Sequence, residues 1–563
     1  MRVSIAWLKE LVDLNCSMDE LINLLPLRSI STKEVTNSYI ELDMKGYNRA
    51  DLLSMRGVAK EISAITGSAL VFEEVEEANF VWNKSQLPKG RVEVQNPELA
   101  PFYTVTKIVG LKAEKSPTGW VKKLADAGLR SVDNITDITN LIMLEYGQPM
   151  HAFDAKEVKD EAIVVRTAKK GERITTLDGK VRNLQDSDLL IADSEHALGI
   201  AGVMGGKDSE VNENTTAILL EAAIFDPVNI RKTATRLNLS SEASKRFQHG
   251  LTKIGLFQAL NAAIKKYQDL GGKITAQTFI GDLEVPVKKV KLTQEKINSL
   301  IGVEIKPEEV ETYLTKLGFS SASPSLTRRA WEITVPYWRL DIELEEDLIE
   351  EVARMYGYEK IPAVEVSESK PLQSEDAIFQ KISHLREKLV DLGLTEVQTY
   401  SFYSTDVLSS LGFNKDNEGV LIKVANPISA ETEFLRMNLW PNLVEVVGKN
   451  IRKGFKDMAI FEIGKAFDNI HGEPNEEYRL TIALSNNTDN PLEELISLTK
   501  GVGLDLVLKE SEPEGIGKTL FHPKRFIQIE KDHKQIGGLS EVHLRVLNKL
   551  GIEKRIAILE ITL

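Results

Sequence analysis

The sequence predicts an α+β protein of several domains, and three observations support this prediction. The first is an internal repeat, because residues 47–67 align without a gap on residues 337–357. The second is a central region of short β-branched runs separated by turns, and the third is a final region whose strands alternate polar and apolar residues. A chain of 563 residues is long enough for about three to five such domains.

The repeat predicts two copies of one small α+β module, at residues 1–84 and 285–362. The aligned blocks, "YNRADLLSMRGVAKEISAITG" and "YWRLDIELEEDLIEEVARMYG", share Tyr, Arg and Asp at their starts and Glu and Gly further on. Upstream of each block, two short amphipathic helical stretches precede a strand, "SYIELDM" in the first copy and "WEITVP" in the second.

Two larger regions complete the chain. Residues 85–284 carry strand-like runs such as "FYTVTKIVG" and "SDLLIAD" with helices at "GWVKKLADAG" and "PVNIRKTATRLN", which predicts an α+β domain. Residues 363–563 begin with a long helix, "DAIFQKISHLREKLVDLG". The strands predicted there include "EVQTYSFYS", "VLIKVAN", "MAIFEIGKAFD", "YRLTIALSN" and "RFIQIEKD", which predict an antiparallel sheet.

Composition excludes several classes of protein. The single cysteine, Cys16, excludes a disulfide framework and a cysteine-based zinc site. No run of about 18 apolar residues occurs, and the amphipathic opening does not resemble a secretory signal, so we expect no membrane partner and a cytoplasmic location. Because 84 acidic residues outnumber 70 Lys and Arg residues, any nucleic-acid contact is expected to be local or shared with a partner.

The second repeat carries a cluster of acids. On the helix predicted from Glu346 to Tyr356, the residues Asp347, Glu350 and Glu351 share one face, and Asp341 precedes them. One interpretation is a solvated helix start, because acids favour the helix dipole there. The other is a Mg²⁺ site with oxygen ligands, since two of the acids are absent from the first copy and like charges one turn apart repel.

A second group of polar residues lies in the central region. His151 lies in the turn-rich segment "EYGQPMHAFD", Asn140 precedes it by eleven residues, and Glu221 follows two leucines in a strand-like run. A buried Glu near a His and an Asn could form a hydrolytic site, although such residues are more often satisfied core or turn groups. The segment "GVMGG" lacks the Lys-Ser/Thr of a phosphate loop, so its glycines either let a ligand approach the backbone or form a tight turn.

Together these stretches resemble the β subunits of phenylalanyl-tRNA synthetase. The resemblance covers nearly the whole chain in the family's order. It rests on the motifs "VSIAWLKELV", "TNLIMLEYGQPMHAFD", "GIAGVMGG", "LLEAAIFDPVNIRKTATRL", "RLDIELEEDLIEEVARMYGYEKIP" and "NPISAETEFLRMNLWPNLVEVVGKN". It implies two winged-helix-like modules, a central tRNA-editing domain, and a C-terminal domain like a class II synthetase that has lost catalysis.

The resemblance also implies partners and site residues. A catalytic α subunit would charge tRNA(Phe) with ATP, in an α2β2 heterotetramer, and the central domain of this chain would hydrolyse mischarged tyrosyl-tRNA. Glu221 and the Gly205 backbone would recognise the tyrosine hydroxyl, and His151 and Asn140 would lie near the ester. The remaining implied positions are Ser241 and Ala243 in the editing pocket, and Asp341, Asp347, Glu350 and Glu351 at Mg²⁺.

The chain departs from the family's usual pattern at three places. An oligonucleotide-binding insert is expected after the opening helices, but "SISTKEVTNSYIELDM" runs straight through. Family members also usually end in a ferredoxin-like anticodon-binding domain, whereas this chain stops at "IAILEITL". His249 stands where relatives commonly carry Arg. Two alternatives to editing are a scaffold subunit with an inactive editing site and an autonomous metal hydrolase. The second is disfavoured because its carboxylates and His151 fall in different predicted domains.

Overall fold

A computed structural model describes most of the chain. The described residues are 1–73, 88–321, 330–364, 376–411, 421–455, 457–469, 472–486, 490–502, 506–514 and 517–563. The structure divides into two units, residues 1–364 and 365–563, each with its own sheets and hydrophobic core. The protein is therefore a mixed α/β, multidomain chain. The finer four-domain division stays a prediction.

The first 73 residues form a small module around a three-stranded sheet. Its strands are β1 (Arg2–Ser4), β2 (Val12–Asp13), β3 (Thr32–Val35), β4 (Tyr39–Leu42) and β5 (Ala69–Leu70), and its helices are α1 (Ile5–Leu11), α2 (Met18–Arg28) and α3 (Met55–Thr66). The sheet order is β1-β4-β3, with antiparallel pairing, and β2 pairs separately with β5. Helix α3 begins at the side-chain cap of Ser54 and ends at Gly67, which has a left-handed conformation.

The middle region contains most of the strands of the first unit. Its strands are β6 (Arg91–Val94), β7 (Phe102–Val109), β8 (Met150–Asp154), β9 (Ala162–Thr167), β10 (Arg173–Thr175), β11 (Val181–Asn183), β12 (Leu189–Ala192), β13 (Ala197–Ile200), β14 (Met204–Gly205), β15 (Ala217–Ile224) and β16 (Lys273–Gly281). Its helices are α4 (Thr118–Asp126), α5 (Asn134–Tyr146), α6 (Pro227–Arg236), α7 (Glu242–His249) and α8 (Lys253–Asp269).

Three sheets organise these strands. A four-stranded antiparallel sheet has the order β16-β7-β15-β8, a five-stranded sheet has the order β14-β13-β12-β9-β6, and β10 and β11 form a hairpin. Alternation along β15 separates two cores, because Ile218 and Leu220 pack with helices α5 and α8, whereas Leu219 and Ala223 pack with the five-stranded sheet. Glu221 therefore projects to the side of the five-stranded sheet.

The second small module repeats the topology of the first. Its elements are β17 (Lys289–Thr293), α9 (Gln294–Ile301), α10 (Pro307–Lys316), β18 (Ser320–Ser321), β19 (Ala330–Thr334) and α11 (Glu345–Tyr356). The sheet order β17-β19-β18 matches β1-β4-β3, and α11 follows as α3 does in the first module. Helix α11 begins at Glu345, one residue before the position expected from the sequence.

The second unit is built on a seven-stranded sheet. The strands of the unit are β20 (Thr395–Glu396), β21 (Phe402–Tyr403), β22 (Phe434–Leu435), β23 (Met458–Asp468), β24 (Asn475–Ser485), β25 (Val507–Glu510), β26 (Phe521–Lys531), β27 (Lys534–Val542) and β28 (Ala557–Thr562). Of these, β21 and β22 pair with each other in a separate two-stranded sheet. The helices of the unit are α12 (Ala377–Asp391), α13 (Thr405–Ser410), α14 (Trp440–Arg452), α15 (Pro491–Gly501), α16 (Gly517–Leu520) and α17 (Leu544–Lys549). The sheet order is β20-β23-β24-β28-β27-β26-β25, antiparallel except for the β20–β23 pair.

Two strand predictions in this unit need correction. The run "VLIKVAN" was predicted as a strand, but within its described residues only Lys423 forms an isolated bridge, to Phe434. The run "EVQTYSFYS" contributes two short strands, β20 and β21, to two different sheets. Alternation alone does not distinguish a long strand from short extended segments joined by loops. In the part of the chain that the structure describes, no helix is long and apolar enough to cross a membrane.

Candidate functional site

Strand register brings Glu221 and His151 side by side. On β15, Glu221 pairs with His151 of β8 on one side and with Val105 of β7 on the other. Residues directly opposite in an antiparallel pair project to the same face. The two side chains therefore share the face of the sheet that points toward the five-stranded sheet, although they are 70 positions apart in the chain.

A small cavity lies between the two sheets at this point. It has a volume of about 80 Å³ and is lined by His151, Glu221 and Ala243 together with residues 199–205. Phe153 and Phe247 contribute apolar walls. The cavity is thus mostly apolar, with two titratable side chains, as small-molecule sites usually are.

The imidazole of His151 is held neutral. Its Nε2 atom is buried and has no hydrogen-bond partner among the described residues. Burial lowers the pKa of His151 to about 4, because a charged imidazolium is poorly solvated in the apolar wall. The ring meets Phe153 edge to face, with centroids 4.4 Å apart. At neutral pH the ring is therefore uncharged. One ring nitrogen carries a proton, and the other can accept one.

The carboxyl group of Glu221 is also neutral at neutral pH. The side chain is buried, and burial raises its pKa to about 8. A protonated carboxyl group can donate one hydrogen bond and accept others. Glu221 is therefore suited to recognise a neutral hydroxyl group inside an apolar pocket.

Gly205 permits the close approach of His151. A Cβ atom at position 205 would lie 2.6 Å from Cε1 and 2.9 Å from Nε2 of His151, and 3.3 Å from Leu177. Its backbone does not have the left-handed conformation, so the requirement for glycine is one of space. The sequence predicted either a backbone that a ligand could approach or a tight turn, and here the imidazole of His151 packs against the backbone of Gly205.

Three other predicted residues have different positions. Ala243 lines the cavity. Ser241 caps helix α7, and its hydroxyl donates a hydrogen bond to the Val203 carbonyl oxygen at 2.6 Å. Asn140 lies half-buried in helix α5 and does not line the cavity. The structure therefore brings together His151, Gly205, Glu221 and Ala243, whereas Ser241 supports the wall from behind.

Sequence reasoning missed Tyr103. Its side chain is completely buried, and its hydroxyl group has no hydrogen-bond partner in the part of the chain that the structure describes. It pairs with Ala223, two residues beyond Glu221, so both side chains lie on one face of the sheet. Burial, followed by the nearby Glu221, raises the pKa of Tyr103 well above its ordinary value. The register of β7 against β15 is the signal that could have identified Tyr103, because it places Tyr103 on the same face as Glu221.

Arginines bind two of the four predicted Mg²⁺ ligands. Arg339 binds both oxygens of Asp341, at 2.6 Å and 2.9 Å. Glu351 is buried and accepts hydrogen bonds from Arg339 and from Arg354, the latter at 2.6 Å. Burial opposes the ionisation of Glu351, but the two arginines overcome this effect and lower its pKa.

The same arrangement recurs in the first module and joins the two copies. Arg49 binds Asp51 at 2.7 Å and Glu61 at 2.9 Å, as Arg339 binds their counterparts. Arg354 then crosses between the modules and forms an ion pair with the buried Glu61. These acids therefore belong to a buried framework that both copies share.

The other two predicted ligands have different surroundings. Asp347 accepts hydrogen bonds from the backbone N–H groups of Glu343 and Leu344, both at 2.7 Å, and so caps helix α11. Glu350 is exposed. Among the described residues, no three His, Cys, Asp or Glu side chains are placed to hold a metal ion. In this arrangement, Asp341, Asp347, Glu350 and Glu351 do not fit Mg²⁺, because arginines bind two of them and a third caps the helix.

Comparison with protein families places the chain in a class. Residues 99–272 match the B3/4 domain, residues 290–358 match the tRNA synthetase B5 domain, and residues 361–563 match the phenylalanyl-tRNA synthetase beta chain CLM domain. These domains, in this order, define a chain of the aminoacyl-tRNA synthetase class. The chain belongs to the family of phenylalanyl-tRNA synthetase β chains.

Curated relatives agree with this placement. The chain is 35% identical over 524 residues to a phenylalanine–tRNA ligase β subunit of Staphylococcus haemolyticus (strain JCSC1435), an alignment that covers 89% of this chain and 63% of that protein. It is 34% identical over 534 residues to the β subunit of Syntrophus aciditrophicus (strain SB), which covers 91% of this chain and 66% of the relative. The chain thus spans about two thirds of the length of these relatives.

One solved structure has a weaker similarity. It is an N-terminal fragment of the phenylalanyl-tRNA synthetase β-subunit from Pyrococcus horikoshii, with 19% identity and a TM-score of 0.35, covering 63% of this chain and 99% of the fragment. A TM-score this low supports no argument about the fold.

Proposed function

We propose that this chain acts as the β subunit of a phenylalanine–tRNA ligase and that its middle region hydrolyses tyrosyl-tRNA(Phe). The observation that supports this proposal most directly is the cavity at Glu221 and His151, where two neutral polar side chains face an apolar space. A buried polar group without a partner costs about 1 to 3 kcal/mol. Binding of a ligand that supplies the missing partners would recover that free energy.

The cavity suits discrimination between tyrosine and phenylalanine, which differ by one hydroxyl group. A hydrophobic pocket rejects a substrate with an added hydroxyl only about 100-fold, whereas a site that hydrogen-bonds the hydroxyl rejects the analogue lacking it by about 10⁴ to 10⁵. A phenol ring would lie between Phe153 and Phe247, and its hydroxyl would meet the carboxyl group of Glu221. An editing site with this arrangement hydrolyses the tyrosyl ester and spares the phenylalanyl ester.

His151 would activate the attacking water. Its neutral ring, with Nε2 free of other partners within the described residues, can accept a proton from water as the ester carbonyl is attacked. The proton would then pass to the departing ribose oxygen. Asn140 near the ester stays a prediction that requires contact with the bound RNA end. Ser241 is proposed to fix the Val203 carbonyl in the cavity wall.

The wider assembly is proposed on family membership. The α subunit would charge tRNA(Phe) with ATP in an α2β2 heterotetramer in the cytoplasm, with Mg²⁺ serving that reaction. Residues 1–84 and 285–362 would be winged-helix-like modules, residues 85–284 the editing domain, and residues 363–563 a non-catalytic domain like a class II synthetase. Light scattering of the chain with and without the α subunit tests the assembly.

Two variants test editing and separate its two parts. Glu221→Ala should lose preference for the tyrosyl ester, whereas His151→Ala should slow hydrolysis by about 10² to 10⁴. The assay is deacylation of tyrosyl-tRNA and phenylalanyl-tRNA by the assembled complex, with aminoacylation as the control that both variants should pass. If both variants keep the wild-type rate and the wild-type preference, Glu221 and His151 do not carry editing. If the wild-type complex itself leaves tyrosyl-tRNA intact, the chain is a scaffold with an inactive editing site.

A further inference from the structure

A local excess of positive charge in the middle region lies beside the cavity. Two segments, residues 166–183 and 226–236, contain nine Lys and Arg residues but only three Asp and Glu residues. The whole chain has a net charge of -14. This surface, here called the basic hairpin surface, consists of the β10–β11 hairpin with its flanks and helix α6.

Six of these cations are exposed and have no carboxylate partner among the described residues. They are Lys169, Lys170, Arg173, Lys180, Arg231 and Lys232. The three acids are already engaged: Glu172 pairs with Arg166 at 2.7 Å, Asp178 pairs with Arg182 at 2.6 Å, and Asp226 caps helix α6. The six cations therefore remain available to an anionic partner.

Hydrogen bonds fix the hairpin against the wall of the cavity. The backbone N–H of Leu177 in the hairpin turn donates to the carbonyl oxygen of Gly205 at 3.1 Å, and the side chain of Leu177 approaches the same glycine. The hairpin turn therefore lies directly beside the glycine against which His151 packs.

The hairpin is also joined to helix α6. Arg182 donates to the carbonyl oxygen of Leu237 at 3.2 Å, and Arg236 donates to that of Asn183 at 3.4 Å. The cations of the hairpin and of helix α6 thus belong to one connected surface. Exposed Asp186 and Asp208 border it.

We propose that the basic hairpin surface binds the phosphate backbone of the tRNA acceptor end, and so delivers the 3′ ester to the cavity. This inference rests on the proposed function, because it assigns a holder to the substrate of that site. An acidic protein repels RNA overall, so a tRNA-linked ester needs local cations near the cavity. Lys and Arg supply this attraction without reading sequence.

The test measures binding without chemistry. The probe is an unacylated RNA minihelix with the acceptor stem and single-stranded 3′ end of tRNA(Phe), and its affinity for the full chain is measured by fluorescence anisotropy at several salt concentrations. The test variant is Lys169→Gln, Lys170→Gln, Arg173→Gln. The control variant is Lys265→Gln, Lys273→Gln, Lys291→Gln, which removes three exposed lysines outside the basic hairpin surface.

The expected result is a change in salt dependence. Each lost contact with a duplex phosphate lowers the slope of log affinity against log salt by about 0.9, so the test variant should lose about 2.7 from the slope. Between about 50 and about 200 mM salt, wild-type affinity should then fall about 40-fold more than that of the test variant. The control variant should keep the wild-type slope.

Two results would overturn the inference. One is an equal slope and affinity for the test and control variants. The other is displacement of the RNA by polyglutamate at equal charge, which would indicate an acidic protein partner instead.

Deacylation separates this inference from the proposed function: if wild type binds the minihelix through these cations but does not hydrolyse tyrosyl-tRNA, only the editing proposal fails. If it hydrolyses tyrosyl-tRNA and the variants bind alike, only this inference fails.

Discussion

Gly205→Ala should inactivate the proposed editing site by displacing His151. The added Cβ would lie 2.6 Å from Cε1 and 2.9 Å from Nε2 of the imidazole, and carbon atoms are in favourable contact only at about 3.5 to 4.0 Å. The next nearest atom to the Cβ belongs to Leu177, at 3.3 Å. Relief therefore requires the imidazole to move by about 1 Å, from its edge-on contact with Phe153.

The expected loss of activity follows from that displacement. A misplacement of about 1 Å at a reacting group costs about 10²-fold in rate, and overpacking costs about 1 to 3 kcal/mol of folding stability. Single-turnover deacylation of tyrosyl-tRNA by the assembled complex measures the loss of rate, and urea unfolding measures the loss of folding stability. Gly119→Ala is the control, because a Cβ there meets nothing within 4 Å. A Gly205→Ala protein with wild-type rate and stability would refute the packing of His151 against this glycine.

Three further predictions concern stability, each measured by urea unfolding. Arg354→Met should lower the free energy of unfolding by about 3 to 5 kcal/mol, because the buried Glu61 and Glu351 each lose one of their two arginine partners. Arg28→Met, whose glutamate partner is half exposed, should cost about 1 kcal/mol or less, and equal losses would contradict the framework. The pKa of Glu221 is about 8 when folded and about 4.5 when unfolded, so the folded state binds more protons between these values and wild-type stability falls as pH rises from about 5 to 8. Glu221→Gln should remove up to about 1.4 kcal/mol of that fall per pH unit, and identical pH profiles would contradict a buried neutral carboxyl group. Tyr103→Phe removes a buried hydroxyl group that has no partner among the described residues, so it should leave stability unchanged or raise it by about 1 kcal/mol, and a clear loss would indicate a hidden partner.

Much of the fold could be predicted from local patterns. The aligned blocks identified two modules, and the structure gives them the same sheet order and the same Arg–Asp–Glu arrangement. The antiparallel character of the second unit followed from strand alternation. Alternation failed at "VLIKVAN", because short extended segments in loops have the same pattern as strands.

The site was less predictable because it depends on register. His151 and Glu221 were selected by sequence context and family resemblance, but their pairing depends on which strands of the sheet are neighbours. The acidic cluster was hard to interpret for a different reason. Comparison of the copies isolated Asp347 and Glu350 correctly as absent from the first module, yet Glu351 has a counterpart there in Glu61. That counterpart already pointed to a structural role, which the arginine pairs account for.

The most direct test of the account is the deacylation rate of tyrosyl-tRNA(Phe) relative to phenylalanyl-tRNA(Phe) by the wild-type chain assembled with the proposed α subunit. If the cavity recognises a phenolic hydroxyl through Glu221, the tyrosyl ester should be hydrolysed much faster, and the ratio should approach one in Glu221→Ala. A wild-type complex that charges phenylalanine normally but leaves tyrosyl-tRNA intact would contradict the account and assign this chain a scaffold role.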